Sequence, residues 1–220
     1  MGRTSYQDDL ARLRGEVGAM ADLCLDRYRE SIEVLSTGDA QQATLVIDGD
    51  EQLNEWYLDI ERECIDLIAL QQPMASDLRF IASSFKIVTD LERIGDLAVN
   101  LAEYGRDLDG TAGVDLEPIA RQARGMVEDA MTAYTRDDAD TARSVAARDE
   151  QLDEQCKQAS ETVVRRLMTE TVGSNAIDDR LEQVSSLLLI IRDIERVGDH
   201  AVNISARTQY MIENDDELIY

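Results

Sequence analysis

TDLERIGDLAVN, residues 89–100, returns as RDIERVGDHAVN at residues 192–203. Both blocks carry Glu-Arg, an aliphatic residue, Gly-Asp, one variable position and then Ala-Val-Asn. A helix gains nothing from Gly between two carboxylates, because Gly costs about 1 kcal/mol relative to Ala in a helix interior. Like charges four residues apart add a few tenths of a kcal/mol of repulsion. At about 100° per residue, Leu91, Ile94, Ala98, Leu101 and Ala102 share one face and form a core stripe. Glu92, Asp96 and Asn100 fall beside it as a row of oxygen-bearing side chains, each one turn above the last. The missing side chain of Gly95 clears space for a partner helix or an ion between Glu92 and Asp96.

The duplication extends outward from this block. Asp39 and Ala40 match Asp138 and Ala139, and Asp50-Glu51-Gln52-Leu53 matches Asp149-Glu150-Gln151-Leu152, both at an offset of 99. Leu78, Leu91, Glu92, Asp96 and Asn100 match Leu181, Ile194, Glu195, Asp199 and Asn203 at an offset of 103. Apolar spacing of three and four predicts helices over residues 8–35, 40–70 and 75–107, then 116–136, 139–170 and 176–213. Thr37-Gly38-Asp39 reads as a stop followed by an N-cap, and Pro73 and Pro118 sit near helix starts. Residues 107–113, which include two Gly, are the natural boundary, and 171–175 mirror the break at Gln71-Gln72-Pro73. The expected fold is all-α: two tandem antiparallel three-helix bundles related by internal duplication, residues 1–109 and 114–220.

Composition agrees. In 220 residues, 44% are hydrophobic, 5% are aromatic and two are Pro, which leaves little material for a β-sandwich or barrel. The net charge of −24 argues against nucleic acid and against an anionic membrane surface. The longest aliphatic run, Leu187 to Ile191, is far short of a membrane span, so a cytoplasmic location without membrane insertion is expected. Asp outnumbers Glu 27 to 19, and Lys86 and Lys157 stand against 20 Arg, a pattern resembling salt-adapted proteomes. In molar salt the Debye length is roughly 3 Å, so self-repulsion is screened. Cys24, Cys64 and Cys156 are scattered without a Cys-x-x-Cys pair and read as buried or half-buried thiols.

A solvated acidic flank and a cation site both account for the oxygen row, and its duplication as a block favours the cation. The second helices add Asp50 and Glu51 in one half and Asp149, Glu150 and Asp153 in the other. Hard cations take such oxygen ligands, and neighbouring carboxylates can bridge two metals. His200 lies off the row and reads as a surface or inter-helix histidine. Arg93 and Arg196 read as partners of nearby acids, and Trp56 as core. One His cannot supply the two Glu-x-x-His motifs of a ferritin-type oxidase, and no Gly-x-x-x-x-Gly-Lys-Ser/Thr loop occurs. No nucleophile and base pairing supports a hydrolase, so a non-enzyme is expected.

Gln72-Pro73-Met74-Ala75-Ser76-Asp77-Leu78-Arg79-Phe80 and the two Glu-Arg-x-Gly-Asp blocks strongly resemble the PhoU family of phosphate-uptake regulators, over essentially the whole chain. The resemblance implies a cytosolic, often dimeric regulator of the phosphate ABC transporter and of phosphate-responsive signalling. The implied partners are the transporter's ATPase subunit and a phosphate-sensing histidine kinase. It also implies metal binding, with Fe, Zn, Mn or Mg as candidates. Glu92, Asp96, Glu195 and Asp199 match the third-helix motifs, and Asp50, Asp149 and Asp153 the second-helix motifs. Asn54 departs from the acidic pattern, leaving the first half one carboxylate poorer. A carboxylate-bridged metalloenzyme or metal store is the rival reading of the same residues.

Overall fold

The computed structural model describes residues 3–108, 114–169 and 177–215, and among them every regular element is a helix. These are α1 (Arg3–Thr37), α2 (Ala40–Asp48), α3 (Asp50–Gln71), α4 (Ala75–Asp107), α5 (Glu117–Arg136), α6 (Ala139–Ala146), α7 (Asp149–Thr169) and α8 (Ile177–Glu213). Residues 109–113 of the expected boundary and the expected break at 171–175 lie outside the described residues.

Helix ends follow from local chemistry. Asp39 accepts from the backbone N–H groups of Gln41 and Gln42, and Asp138 from those of Asp140 and Thr141, which satisfies donors that a helix start leaves open. Gly38 ends α1 with φ of +65°, a left-handed conformation that Gly adopts without a steric cost. Pro118 lies in the first turn of α5, where its missing N–H costs nothing.

The structure corrects one expectation in both halves. The second helix of each unit is not continuous: it breaks at Gly49 and again at Ala147-Arg148, giving a short helix followed by a long one. Tertiary contacts hold these breaks. In the first half Arg27 of α1 donates to the carbonyl of Leu45 at 3.0 Å, and its guanidinium fills the space that a Cβ on Gly49 would need. In the second half Arg148 sits at the Gly49 position and pairs with Asp129 of α5 at 2.5 Å. Each break restarts a helix at Asp50 or Asp149, so both carboxylates occupy a first turn, where the helix dipole favours negative charge.

The two halves repeat one packing scheme. α4 packs on α1, α2 and α3, as α8 packs on α5, α6 and α7, and α4 and α8 then pack on each other. Leu91, Ile94, Ala98, Leu101 and Ala102 are all buried, as the helical wheel requires. One continuous apolar core runs through both halves, from Leu13 and Met20 of α1 to Met126 of α5 and Ile190 of α8. Trp56 corrects a smaller expectation: it is only half-buried, packed on the margin of that core. Cys24, Cys64 and Cys156 are buried free thiols.

Reciprocal polar contacts cross the α4–α8 seam. Asn100 Nδ2 donates to Asp193 Oδ2 at 3.1 Å, and Asn203 Nδ2 donates to Asp90 Oδ1 at 3.4 Å. These partners interchange under the offset of 103, so the halves are related by a pseudo-two-fold axis. Rising numbers on α4 meet falling numbers on α8, so the two helices run antiparallel. Asp193 is fully buried and also held by Arg192, whereas Asp90 is held by His200 Nδ1 at 2.9 Å.

Candidate functional site

The candidate ligands gather where α3 meets α4 and where α7 meets α8. Gly95 and Gly198 set the approach of each helix pair. A Cβ on Gly95 would lie 2.2 Å from Leu53 Cδ2 and 3.9 Å from Asp50 Oδ1, and Gly198 gives the same two distances to Leu152 and Asp149. The glycine therefore admits a leucine of the partner helix, and that leucine carries the first-turn aspartate to the edge of the oxygen row. The expectation of space for a partner helix holds.

In the first half Asp50, Glu92 and Asp96 come together. Burial and the Asp96 charge raise the Asp50 pKa, while a hydrogen bond from Asn54 Nδ2 at 2.7 Å holds it down. Glu92 is raised by burial, then by Asp96 and Asp50, against Arg93. Arg93 spans the row, 3.4 Å from Glu92 and 3.3 Å from Asp96, as expected of it.

In the second half Asp149, Asp153, Glu195 and Asp199 come together with less compensation. Burial first, then the charges of Asp153, Asp199 and Glu195, pushes Asp149 up to about 6. Its Oδ1 is buried and finds no hydrogen-bond partner among the described residues. Glu195 is raised by burial and by Asp153 and Asp199. Asp199 is raised by burial and Asp153, with His200 and Arg196 opposing through their charge. Beneath them burial, aided by Glu195, Asp153 and Asp199, pushes the Cys156 thiol up to about 12.

Asn100, at the end of the expected row, instead turns across the seam to Asp193. His200 is an inter-helix residue bonded to Asp90, as expected of it. Asp90, Asp193 and Arg192 form the seam and were not singled out by the motif reading, although Asp90 and Asp193 sit at the same offset of 103.

By donor type alone the two sets suit a hard cation. All seven side chains offer carboxylate oxygens, they repel one another, and one buried oxygen in the second half lacks a donor. Among the described residues no three His, Cys, Asp or Glu side chains are arranged to grip an ion as the chain stands.

A pH dependence follows from Asp149. Its pKa lies at about 6 rather than the ordinary 3.8, so folding takes up a proton between those values. Stability contributed by this group falls as pH rises through that window, and the cost is fully present above it. Solvent screening at this partly exposed carboxyl limits the cost to about 1 kcal/mol. Asp149→Asn is therefore expected to raise the thermal midpoint at pH 7.5 in metal-free buffer and to change it little at pH 4. Equal gains at both pH values would contradict this assignment.

The PhoU domain model matches residues 17–105 and again 116–208. The chain belongs to the PhoU family. The phosphate-specific transport system accessory protein PhoU homolog of Pseudomonas putida is 35% identical over 218 residues, which span 96% of this chain and 82% of that protein. The homolog of Clostridium acetobutylicum is 30% identical, with 96% of each chain covered. Among solved structures, PhoU from Pseudomonas aeruginosa superposes with a TM-score of 0.88 at 32% identity, covering 96% of this chain and all of that one. The phosphate transport system regulatory protein PhoU from Streptococcus pneumoniae gives 0.84 at 26% identity, with 96% and 98% covered. The tandem PhoU repeats thus account for the duplicated helical architecture. No described helix is long and apolar enough to cross a membrane.

Proposed function

We propose that this PhoU protein is a cytoplasmic, non-catalytic regulator that restrains phosphate import when phosphate is plentiful. It acts on the ATPase subunit of the phosphate ABC transporter and, through that complex, on a phosphate-sensing histidine kinase, and it works as a homodimer. The observation that carries the reading is the pair of PhoU domain matches, aligned over nearly the whole chain with relatives named as phosphate transport accessory proteins. Asp50, Glu92 and Asp96 would hold one cation site, and Asp149, Asp153, Glu195 and Asp199 the other, with Fe, Zn, Mn or Mg as candidate ions. Two features favour the second site for tighter binding: it has one more carboxylate, and among the described residues no arginine spans its row as Arg93 spans the first. A bound cation would supply fixed positive charge, neutralising the row and ordering α7 against α8.

The test is phosphate uptake at high external phosphate in a strain lacking the gene. Uptake is expected to rise in that strain and to return to normal with the wild-type chain, and the chain is expected to co-purify with the ATPase subunit. Unchanged uptake in the deletion strain would overturn the regulatory reading. If Glu195→Gln/Asp199→Asn loses metal and still restores normal uptake, the rival metal-store reading of the same carboxylates gains.

A further inference from the structure

A second feature of α3 and α4 lies outside the acid rows. On α3 the residues Asn54, Leu58, Glu61, Ile65 and Ile68 follow one another at spacings of three and four, which puts them on one stripe of the helix. On α4, Leu78, Phe85 and Glu92 follow at spacings of seven and share a stripe likewise. Asn54 bonds Asp50, and Asp50 lies beside Glu92 and Asp96, so the two stripes start together at the acid cluster. They run side by side toward the α3–α4 turn. Core-facing positions of α3 are filled by Leu53, Ile60, Cys64 and Leu67, so this outer stripe has no partner within the described chain. On α3, Leu58 is 51% exposed, Ile65 52% and Ile68 42%; on α4, Leu78 is 42% exposed, while Phe85 is half-buried against the core.

Charge selects the occupant. Glu61 interrupts the apolar stripe, and Asp50, Glu92 and Asp96 close one end of it. A second copy would bring like charges against them on a chain of net charge −24, and an anionic bilayer would be repelled in the same way. We infer that the α3–α4 face of the first repeat is a docking groove for an amphipathic helix of another protein. The apolar side of that helix covers Leu58, Ile65, Ile68 and Leu78, and its basic flank meets Glu61 and the acid cluster. The equivalent face of the second repeat differs along its α7 stripe. Lys157 stands at the Leu58 position and Ser160 at the Glu61 position, so a like charge replaces an apolar contact and the acid is lost. The groove rests on exposure and charge, independently of the phosphate reading; a cation held by Asp50, Glu92 and Asp96 would leave Glu61 as the acid that meets the basic flank, so the titration uses metal-free protein.

The probe is a three-heptad helix-forming Leu/Lys peptide, compared with a Leu/Glu peptide of the same apolar pattern, titrated by calorimetry into the full-length chain. One Leu/Lys peptide is expected per chain, with the Leu/Glu peptide at least about tenfold weaker. Ile65→Ser/Leu78→Ser, which leaves every charge in place, is expected to weaken Leu/Lys binding at least about tenfold with an unchanged circular dichroism spectrum. Val164→Ser/Leu181→Ser in the second repeat is expected to leave it within about twofold. Several outcomes would overturn the inference. They are no Leu/Lys binding, equal binding of the two peptides, or a double variant that binds as wild type, which would reduce the effect to charge attraction. Self-association lost in Ile65→Ser/Leu78→Ser would assign the face to a second copy. Binding to phosphatidylglycerol vesicles lost in that variant would assign it to lipid.

Discussion

Gly198→Val is expected to cost about 3 kcal/mol in urea unfolding, because a side chain must enter a filled core where none fits. A Cβ there lies 2.2 Å from Leu152 Cδ2, and Leu152 is fully buried, so neither helix can give way without disturbing the other's packing. Gly198→Ala is milder, since better helix propensity returns about 1 kcal/mol of the strain. The origin of the cost can be isolated with Leu152→Ala. That change alone opens a cavity worth about 2–4 kcal/mol, but it also vacates the space the valine needs. The double variant is expected to lose markedly less than the two single costs together. Strict additivity would show that Gly198 serves something other than the approach of Leu152. Gly95 and Leu53 have the same geometry and are expected to behave alike.

Arg192→Ala carries the second large effect. Asp193 is fully buried on the pseudo-two-fold seam; its Oδ1 accepts from Arg192 Nε at 3.0 Å and Nη2 at 2.8 Å, and its Oδ2 accepts from Asn100 at 3.1 Å. Without Arg192 the carboxylate keeps one neutral donor and loses its only described ion-pair partner. The loss is expected to be about 2 kcal/mol, below that of a fully buried pair because Arg192 itself is half-exposed and water can replace it. Arg192→Ala/Asp193→Asn is expected to recover part of the loss, since the uncompensated charge is gone. A loss below about 0.5 kcal/mol in urea unfolding would mean that Asp193 is solvated once Arg192 leaves.

Much of the fold was legible because its signals are local. Asp39 and Asp138 cap the helices they precede, Pro118 opens α5, and the core stripe of α4 is buried as its spacing requires. The break between α2 and α3 was not legible, because apolar periodicity runs through Gly49. In the second half Ala147-Arg148 contains no helix breaker at all. What fixes those breaks is tertiary: Arg27 reaching from α1, and Arg148 reaching to Asp129 on α5. Asn100 shows the same limit at the site. A wheel of one helix puts it in line with Glu92 and Asp96, and only the partner helix reveals Asp193 as its acceptor. Trp56 is large and apolar, yet its position on α3 leaves it at the core margin. The candidate carboxylates were legible for a different reason: duplication marks a block of residues together, whatever each one packs against.

The most direct measurement is calorimetric titration of chelator-treated, full-length protein with Mn²⁺, comparing wild type with a variant in each half. If the duplicated acid rows are cation sites, wild type binds in two saturable phases, and Asp149→Asn/Asp199→Asn removes the tighter one. Glu92→Gln/Asp96→Asn then removes only the weaker. Absence of saturable binding, or binding that survives both pairs of substitutions unchanged, would contradict the assignment of these rows as metal sites.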